Sequence, residues 1–155
     1  AFNDGNYAQA FPSFGSERMG APVESYVKIA EAKIRSKTQV YHPDYLIIQD
    51  PTLFSGVDVL KGIKEDGLII VNTEKIPDAL SLNTGARVMT IPATKLALEI
   101  LGRPIPNTTL LGAFSGATGV VSLQALVKSL EGRFSGSMLD KNLKAANAAY
   151  ERMRK

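Results

Sequence analysis

Two short apolar runs constrain this chain more than anything else in it. Tyr45-Leu46-Ile47-Ile48-Gln49 and Gly67-Leu68-Ile69-Ile70-Val71-Asn72 are continuously apolar rather than alternating. That pattern predicts central strands buried on both faces of a parallel sheet. Each run ends in a polar residue followed by turn chemistry, Gln49-Asp50-Pro51-Thr52 and Asn72-Thr73. Ligands commonly bind at the carboxyl ends of parallel strands, so both ends are candidate binding positions.

The segments around these runs extend the same architecture. Val23 to Ile29 alternates in strand period after Pro22, which suits an edge position. Phe11-Pro12-Ser13-Phe14 reads as a short extended piece, and Ala86 to Ile91 as a further strand of the sheet. Ala1 to Asn6 reads as the last turn of a helix closed by Gly5. After Pro92 the pattern becomes helical. A helix is expected from about Ala93 to Leu101, stopped by Gly102 and Pro104. Asn107 is expected to cap a helix running from Thr108 toward Thr118, and Ser122 to cap the next. A last helix is expected from about Met138 to the end, with Leu139, Leu143, Ala146 and Tyr150 on one face. The fold class is therefore α/β: a mostly parallel sheet with flanking helices, Rossmann-like, with a helical C-terminal part.

Composition narrows what such a domain can do. Its 155 residues, 45% of them hydrophobic, suffice for one packed core. The chain has no cysteine, so it supplies no thiolate to an iron-sulfur cluster. No apolar stretch approaches the roughly 20 residues needed to span a bilayer, and a cytoplasmic location is expected. The net charge of +3 is concentrated at the end, where Lys128, Arg133, Lys141, Lys144, Arg152, Arg154 and Lys155 outnumber Glu131, Asp140 and Glu151. Without aromatic interleaving this is a solvated face before it is a nucleic-acid site.

Few residues suggest chemistry. His42 lies in a turn with no sequence-adjacent nucleophile and reads as a loop histidine. Gly15-Ser16-Glu17-Arg18-Met19-Gly20 sets a hydroxyl, an acid and a guanidinium between glycines. Its N–H groups could cradle a phosphate with Arg18 forking onto the oxygens, or the loop could pair with neighbouring subunits. Asn107-Thr108-Thr109 opens a helix, where N–H donors favour anions, although capping alone accounts for Asn107. Gly112, Gly116 and Gly119 lie in or at the end of that helix, which favours close helix packing over a nucleotide loop.

Taken together, Phe11-Pro12-Ser13-Phe14-Gly15-Ser16-Glu17-Arg18-Met19-Gly20-Ala21-Pro22-Val23 resembles the signature of gamma subunits of pyruvate and branched-chain 2-oxoacid:ferredoxin oxidoreductases. Later blocks resemble the same family in order: Tyr41 with Pro43-Asp44, Gln49 to Leu53, Val71-Asn72-Thr73, Pro106-Asn107-Thr108 with Leu111-Gly112-Ala113, and Lys141-Asn142 with Ala149-Tyr150. The resemblance implies an accessory subunit of a complex that oxidatively decarboxylates a 2-oxoacid with thiamine diphosphate, reduces ferredoxin through iron-sulfur clusters, and forms acyl-coenzyme A. Thiamine diphosphate, Mg and the clusters are expected in the alpha, beta and delta partners. No nucleic acid and no membrane is expected as a partner.

By the same resemblance, this chain contributes to coenzyme A binding and assembly without being catalytic alone. Arg18 is implied to meet a coenzyme A phosphate, with Ser16, Asn107, Thr108 and Asn142 as further polar contacts. Two departures stand out: Met19, where a second arginine is common, and an expected single gamma-type domain, 1-155, lacking the family's usual N-terminal strand and glycine-rich turn. Pyruvate is implied by the Ser16-Glu17-Arg18 form of the loop. A freestanding nucleotide- or acyl-carrier-binding module and a purely structural subunit are the alternatives.

Overall fold

The computed structural model describes residues 1–13 and 22–154. Strand β4 (Leu68–Asn72) lies at the centre of a three-stranded parallel sheet, between β3 (Tyr45–Ile48) and β5 (Arg87–Ile91). All five of its residues are buried. Successive side chains of a strand point to opposite faces, and β4 uses both. Leu68 and Ile70 pack with Ile91, Leu110, Ala113 and Met153 on the helical side. Ile69 and Val71 pack with Ile48, Ala86, Phe54 and Leu60 on the other. Ile69, Ile70 and Val71 are 0%, 1% and 0% exposed, and each such burial contributes about 1.5–3 kcal/mol of transfer free energy.

The expectation for β3 needs correction. Among the described residues it is an edge strand paired with β4 alone, and Tyr45 and Ile47 remain 41% and 37% exposed. A continuous apolar run shows that a strand favours burial, and it does not show whether neighbours lie on both sides.

Two short 3-10 turns, Pro51–Ser55 and Pro77–Leu80, occupy the connections from β3 to β4 and from β4 to β5. Each starts on a proline, whose fixed φ and missing N–H suit a first helical position. After β5 come four helices, α1 (Ala93–Leu101), α2 (Asn107–Thr118), α3 (Leu123–Glu131) and α4 (Gly136–Met153). Helix α1 has the bounds expected from its punctuation: Gly102, at φ 76°, takes the left-handed conformation that ends it. Ser122 caps α3 as expected, its Oγ accepting the Ala125 N–H at 3.0 Å.

Helices α2 and α4 approach through glycine. A Cβ placed on Gly112 would come within 2.8 Å of Ala146 Cα, and one on Gly116 within 3.0 Å of Tyr150 Cα. Close helix packing through small residues, the expectation for Gly112, Gly116 and Gly119, holds for the first two; Gly119 instead closes α2 in the left-handed conformation at φ 68°, with nothing within 4 Å of its Cβ position. Both contacts advance by one turn on each helix, so α2 and α4 run in the same direction.

At the N-terminus one expectation changes and one holds as a single short turn. Val23 to Ile29 is not part of the parallel sheet. Its strand, β2 (Glu24–Ala30), pairs antiparallel with β1 (Tyr7–Ser13) in a separate two-stranded sheet. Phe14, the end of the expected extended piece, lies outside the described residues. Ala1 to Asn6 holds a 3-10 turn, Phe2–Asp4, with Gly5 closing it at φ 83°. That turn is fastened to α3: Asp4 accepts the Ser122 N–H at 2.9 Å and the Ser122 hydroxyl at 2.5 Å, and Asn3 Nδ2 donates to Ala125 O at 3.1 Å.

Candidate functional site

The carboxyl ends of the parallel strands, expected as binding positions, are closed by the chain's own polar groups. Asn72, at the end of β4, donates from Nδ2 to Gln49 O at 2.9 Å and to Thr94 Oγ1 at 2.7 Å. Its Oδ1 accepts the Thr94 N–H at 3.0 Å, satisfying a donor in the first turn of α1. Asp50 is likewise engaged, accepting the Thr52 N–H and hydroxyl at 2.9 and 2.7 Å. Those bonds hold its carboxyl below the ordinary aspartate range. An exposed ion pair, Lys95 with Glu74 at 3.0 Å, lies one residue on from Thr94 and two from Asn72. Asn72 is thus a buried junction of β3, β4 and α1. Its signal in the sequence was a polar residue ending an apolar run, but its partner Thr94 carried no signal.

The start of α2 is more open. Asn107 was expected as the cap residue. Instead Pro106 occupies the cap, and Asn107 is the first helical residue, its Oδ1 accepting the Thr108 N–H at 2.8 Å. Proline already adopts a helical φ, so the helix starts one residue earlier. Asn107 is exposed, whereas Thr108 is 4% and Asn142 3% exposed. Asn142 sits inside α4 and donates to Met138 O at 2.8 Å.

The glycine register explains why these residues gather. One turn back from the Gly112–Ala146 contact, the same pairing brings Thr108 level with Asn142. Asn107, Thr108 and Asn142 therefore belong to one end of the α2–α4 pair, with Asn107 at the surface and the other two in the seam. Ser16 and Arg18, with the rest of the glycine-flanked loop, lie outside the described residues.

Other candidates stay apart. His42 is an exposed loop residue. Lys141, Lys144, Arg152 and Arg154 are exposed on or beyond α4, and Arg154 approaches Glu151 at 3.7 Å. Shallow surface grooves lie over α3, lined by Leu123, Val127 and Lys128, and beside Pro77 to Leu82. Neither is lined by Asn107, Thr108 or Asn142. Among the described residues there is no group of three or more His, Cys, Asp or Glu side chains placed to hold a metal ion, and no helix long and apolar enough to cross a membrane.

Comparison with known proteins gives a consistent result. Residues 1–152 match the family profile described as pyruvate ferredoxin/flavodoxin oxidoreductase. The chain is 49% identical, over 99% of its length and 85% of the relative's, to the pyruvate synthase subunit PorC of Methanothermobacter marburgensis. Its fold superposes with a TM-score of 0.83 on the crystal structure of pyruvate oxidoreductase subunit PORC from Thermotoga maritima, at 35% identity, covering 97% of this chain and 82% of that one. A more distant likeness, at 19% identity and TM-score 0.73, is to the 2-oxoglutarate:ferredoxin oxidoreductase of Magnetococcus marinus, solved with 2-oxoglutarate, coenzyme A and succinyl-CoA bound. There the fold corresponds to 27% of a longer chain.

Proposed function

This chain belongs to the pyruvate ferredoxin/flavodoxin oxidoreductase family, and from that premise we propose that it is the gamma-type subunit of a pyruvate:ferredoxin oxidoreductase and helps to hold coenzyme A. The whole span 1-155 serves as one gamma-type domain. Decarboxylation and electron transfer then belong to partner chains carrying thiamine diphosphate, Mg and iron-sulfur clusters. Against relatives that are themselves subunits, a freestanding module has no support.

One observation carries the coenzyme A reading: Asn107 stands exposed at the first position of a 12-residue helix whose next residues are locked against α4. Coenzyme A presents phosphate groups. The start of a helix carries N–H donors and the positive end of its dipole; with the Thr108 N–H taken by Asn107 Oδ1, the dipole and the exposed Asn107 carboxamide are what would face a phosphate. Arg18 and Ser16 join as the cationic and hydroxyl contacts implied by the loop's resemblance. Thr108 and Asn142 act from beneath, fixing the start of α2 against α4. The fold's occurrence in an enzyme solved with coenzyme A supports this reading.

The test is made in the reconstituted complex. Arg18→Ala and Asn107→Asp are each expected to raise the KM for coenzyme A, Arg18→Ala by about 10- to 100-fold, the worth of a charge-assisted phosphate contact. Aspartate is tolerated at a helix start, so Asn107→Asp repels phosphate without unfolding α2. Decarboxylation of pyruvate is expected to persist in both. An unchanged KM in both variants rejects the reading.

The burial of Thr108 and Asn142 favours a second reading, in which the subunit only braces the complex. On that reading, substitutions at Asn107, Thr108 and Asn142 alter assembly and leave the KM for coenzyme A alone.

A further inference from the structure

The segment that follows β2 holds a row of cations. Residues 33–40 run on from the hairpin without a turn or a bend. In such an extended chain successive side chains point to opposite sides. The even-numbered side is the inner one: Ile34 and Val40 are half-buried, and Lys28 Nζ, reaching across from β2, donates to Ser36 Oγ and Thr38 Oγ1 at 3.2 Å each. Lys33, Arg35 and Lys37 therefore share the outer side, and all three are exposed. The rise of an extended chain sets the first and last of them about 13 Å apart.

No carboxylate accompanies the row. The sequence has no Asp or Glu between Glu31 and Asp44, and Asp44 is held by Lys64. Among the described residues none of Lys33, Arg35 and Lys37 forms an ion pair. Surface charge that serves solubility alone mixes the two signs. Like charges gathered in one stretch repel one another and weaken the folded state, yet Lys28 uses a further ammonium to keep this stretch in place.

From this row, and resting on the reading that the chain is a subunit, we propose that Lys33, Arg35 and Lys37 dock on a carboxylate-bearing surface of a companion chain of the same oxidoreductase. The spacing selects the partner. A phosphate group is held by donors that converge on one point, whereas these cations are strung along a line, so a compact anion meets one of them. A nucleic acid calls for aromatic stacking or a groove-filling element, and residues 33–38 contain no aromatic. A protein surface with acids at alternate positions of a strand repeats at the same interval, about 6.7 Å, and answers all three.

The experiment adds the full chain to the companion subunits and follows the association rate as salt is raised from about 50 to about 500 mM, a range that screens exposed charges. The wild-type rate is expected to fall about 10-fold or more across that range. With Lys33→Gln, Arg35→Gln and Lys37→Gln combined, association at low salt is expected to be about 10-fold slower than wild type and nearly independent of salt. The combined variant is expected to keep the wild-type circular dichroism, because the three side chains lie outside the core. In parallel, Lys33 and Lys37 are expected to lose most of their reactivity toward a water-soluble acetylating reagent when the wild-type chain enters the complex, a readout that needs no variant. Wild-type association of the combined variant, or equal acetylation of both lysines in chain and complex, overturns the proposal. So does normal association with a raised KM for coenzyme A or slower reduction of ferredoxin, since the row would then face a phosphate or the electron carrier. Failure of the wild type to join any companion overturns the subunit reading itself, and this proposal with it; slower association confined to the charge variant supports both.

Discussion

The carboxamide of Asn72 meets Thr94 twice, its Oδ1 accepting the backbone N–H at 3.0 Å and its Nδ2 donating to the hydroxyl at 2.7 Å. A third bond, to Gln49 O, ties β3 to the same point. The junction is 9% exposed at Asn72, so water does not replace lost partners freely.

Asn72→Ala should therefore destabilise the chain by about 2–3 kcal/mol, the cost of leaving buried groups unpaired. Asn72→Asp should be no better, since a carboxylate can accept from Thr94 but faces the Gln49 carbonyl with no donor. Urea denaturation followed by circular dichroism measures both.

Two buried hydroxyls on α2 should respond with opposite sign. Ser115 Oγ donates to Val121 O at 2.6 Å, so Ser115→Ala should cost about 1 kcal/mol. Thr109 Oγ1 is buried with no partner among the described residues. Thr109→Val should stabilise by about 1 kcal/mol, raising Tm by about 2–4 °C in a chain of this size. A pair of thermal melts decides it.

Gly112→Ala and Gly116→Ala should each cost at least about 1–3 kcal/mol, because the added methyl meets the main chain of α4, which has no rotamer to yield. Their effect should be largest on α4, visible as faster amide exchange there.

The fastening of the N-terminal turn to α3 should depend on pH. The Ser122 hydroxyl and then its backbone N–H hold the Asp4 carboxyl below its ordinary value of 3.8. A depressed acid stabilises the folded contact above its unfolded value and loses that contribution as pH falls through the depressed one. Protection of the Ser122 amide, taken relative to its intrinsic exchange rate at each pH, should therefore fall in acid below about pH 4. In Asp4→Asn that protection should already be lower at neutral pH and should not change across that range.

Much of this architecture was legible in the residues because it was written locally. Pro92 and Gly102 bracket α1, Ser122 announces α3, and glycines one turn apart within α2 declared a close contact before its partner was known. The misses share a different cause. Tyr7 to Ala10 becomes a strand only by pairing with Val27 to Ala30, and nothing in its own pattern says so. Tyr45 to Ile48 advertises apolarity but not the number of its neighbours. Asn107 looks like a cap until Pro106, equally suited to end the turn, takes the position. At the candidate site, the gathering of Asn107, Thr108 and Asn142 depends on a helix register that no spacing in the sequence displays. The Asn72–Thr94 and Asp4–Ser122 bonds are likewise tertiary facts.

The α2–α4 seam carries one more implication. What Gly112 and Gly116 touch on α4 is main chain, the carbonyls and Cα atoms of Ala146 and Tyr150. Trimming a neighbour's side chain therefore opens no room for a methyl at either glycine. Mutational tolerance at the two positions should be independent of what residue occupies 146 or 150. Compensation is available only by sliding an entire helix, which would carry the Leu110, Ala113 and Ala149 packing with it.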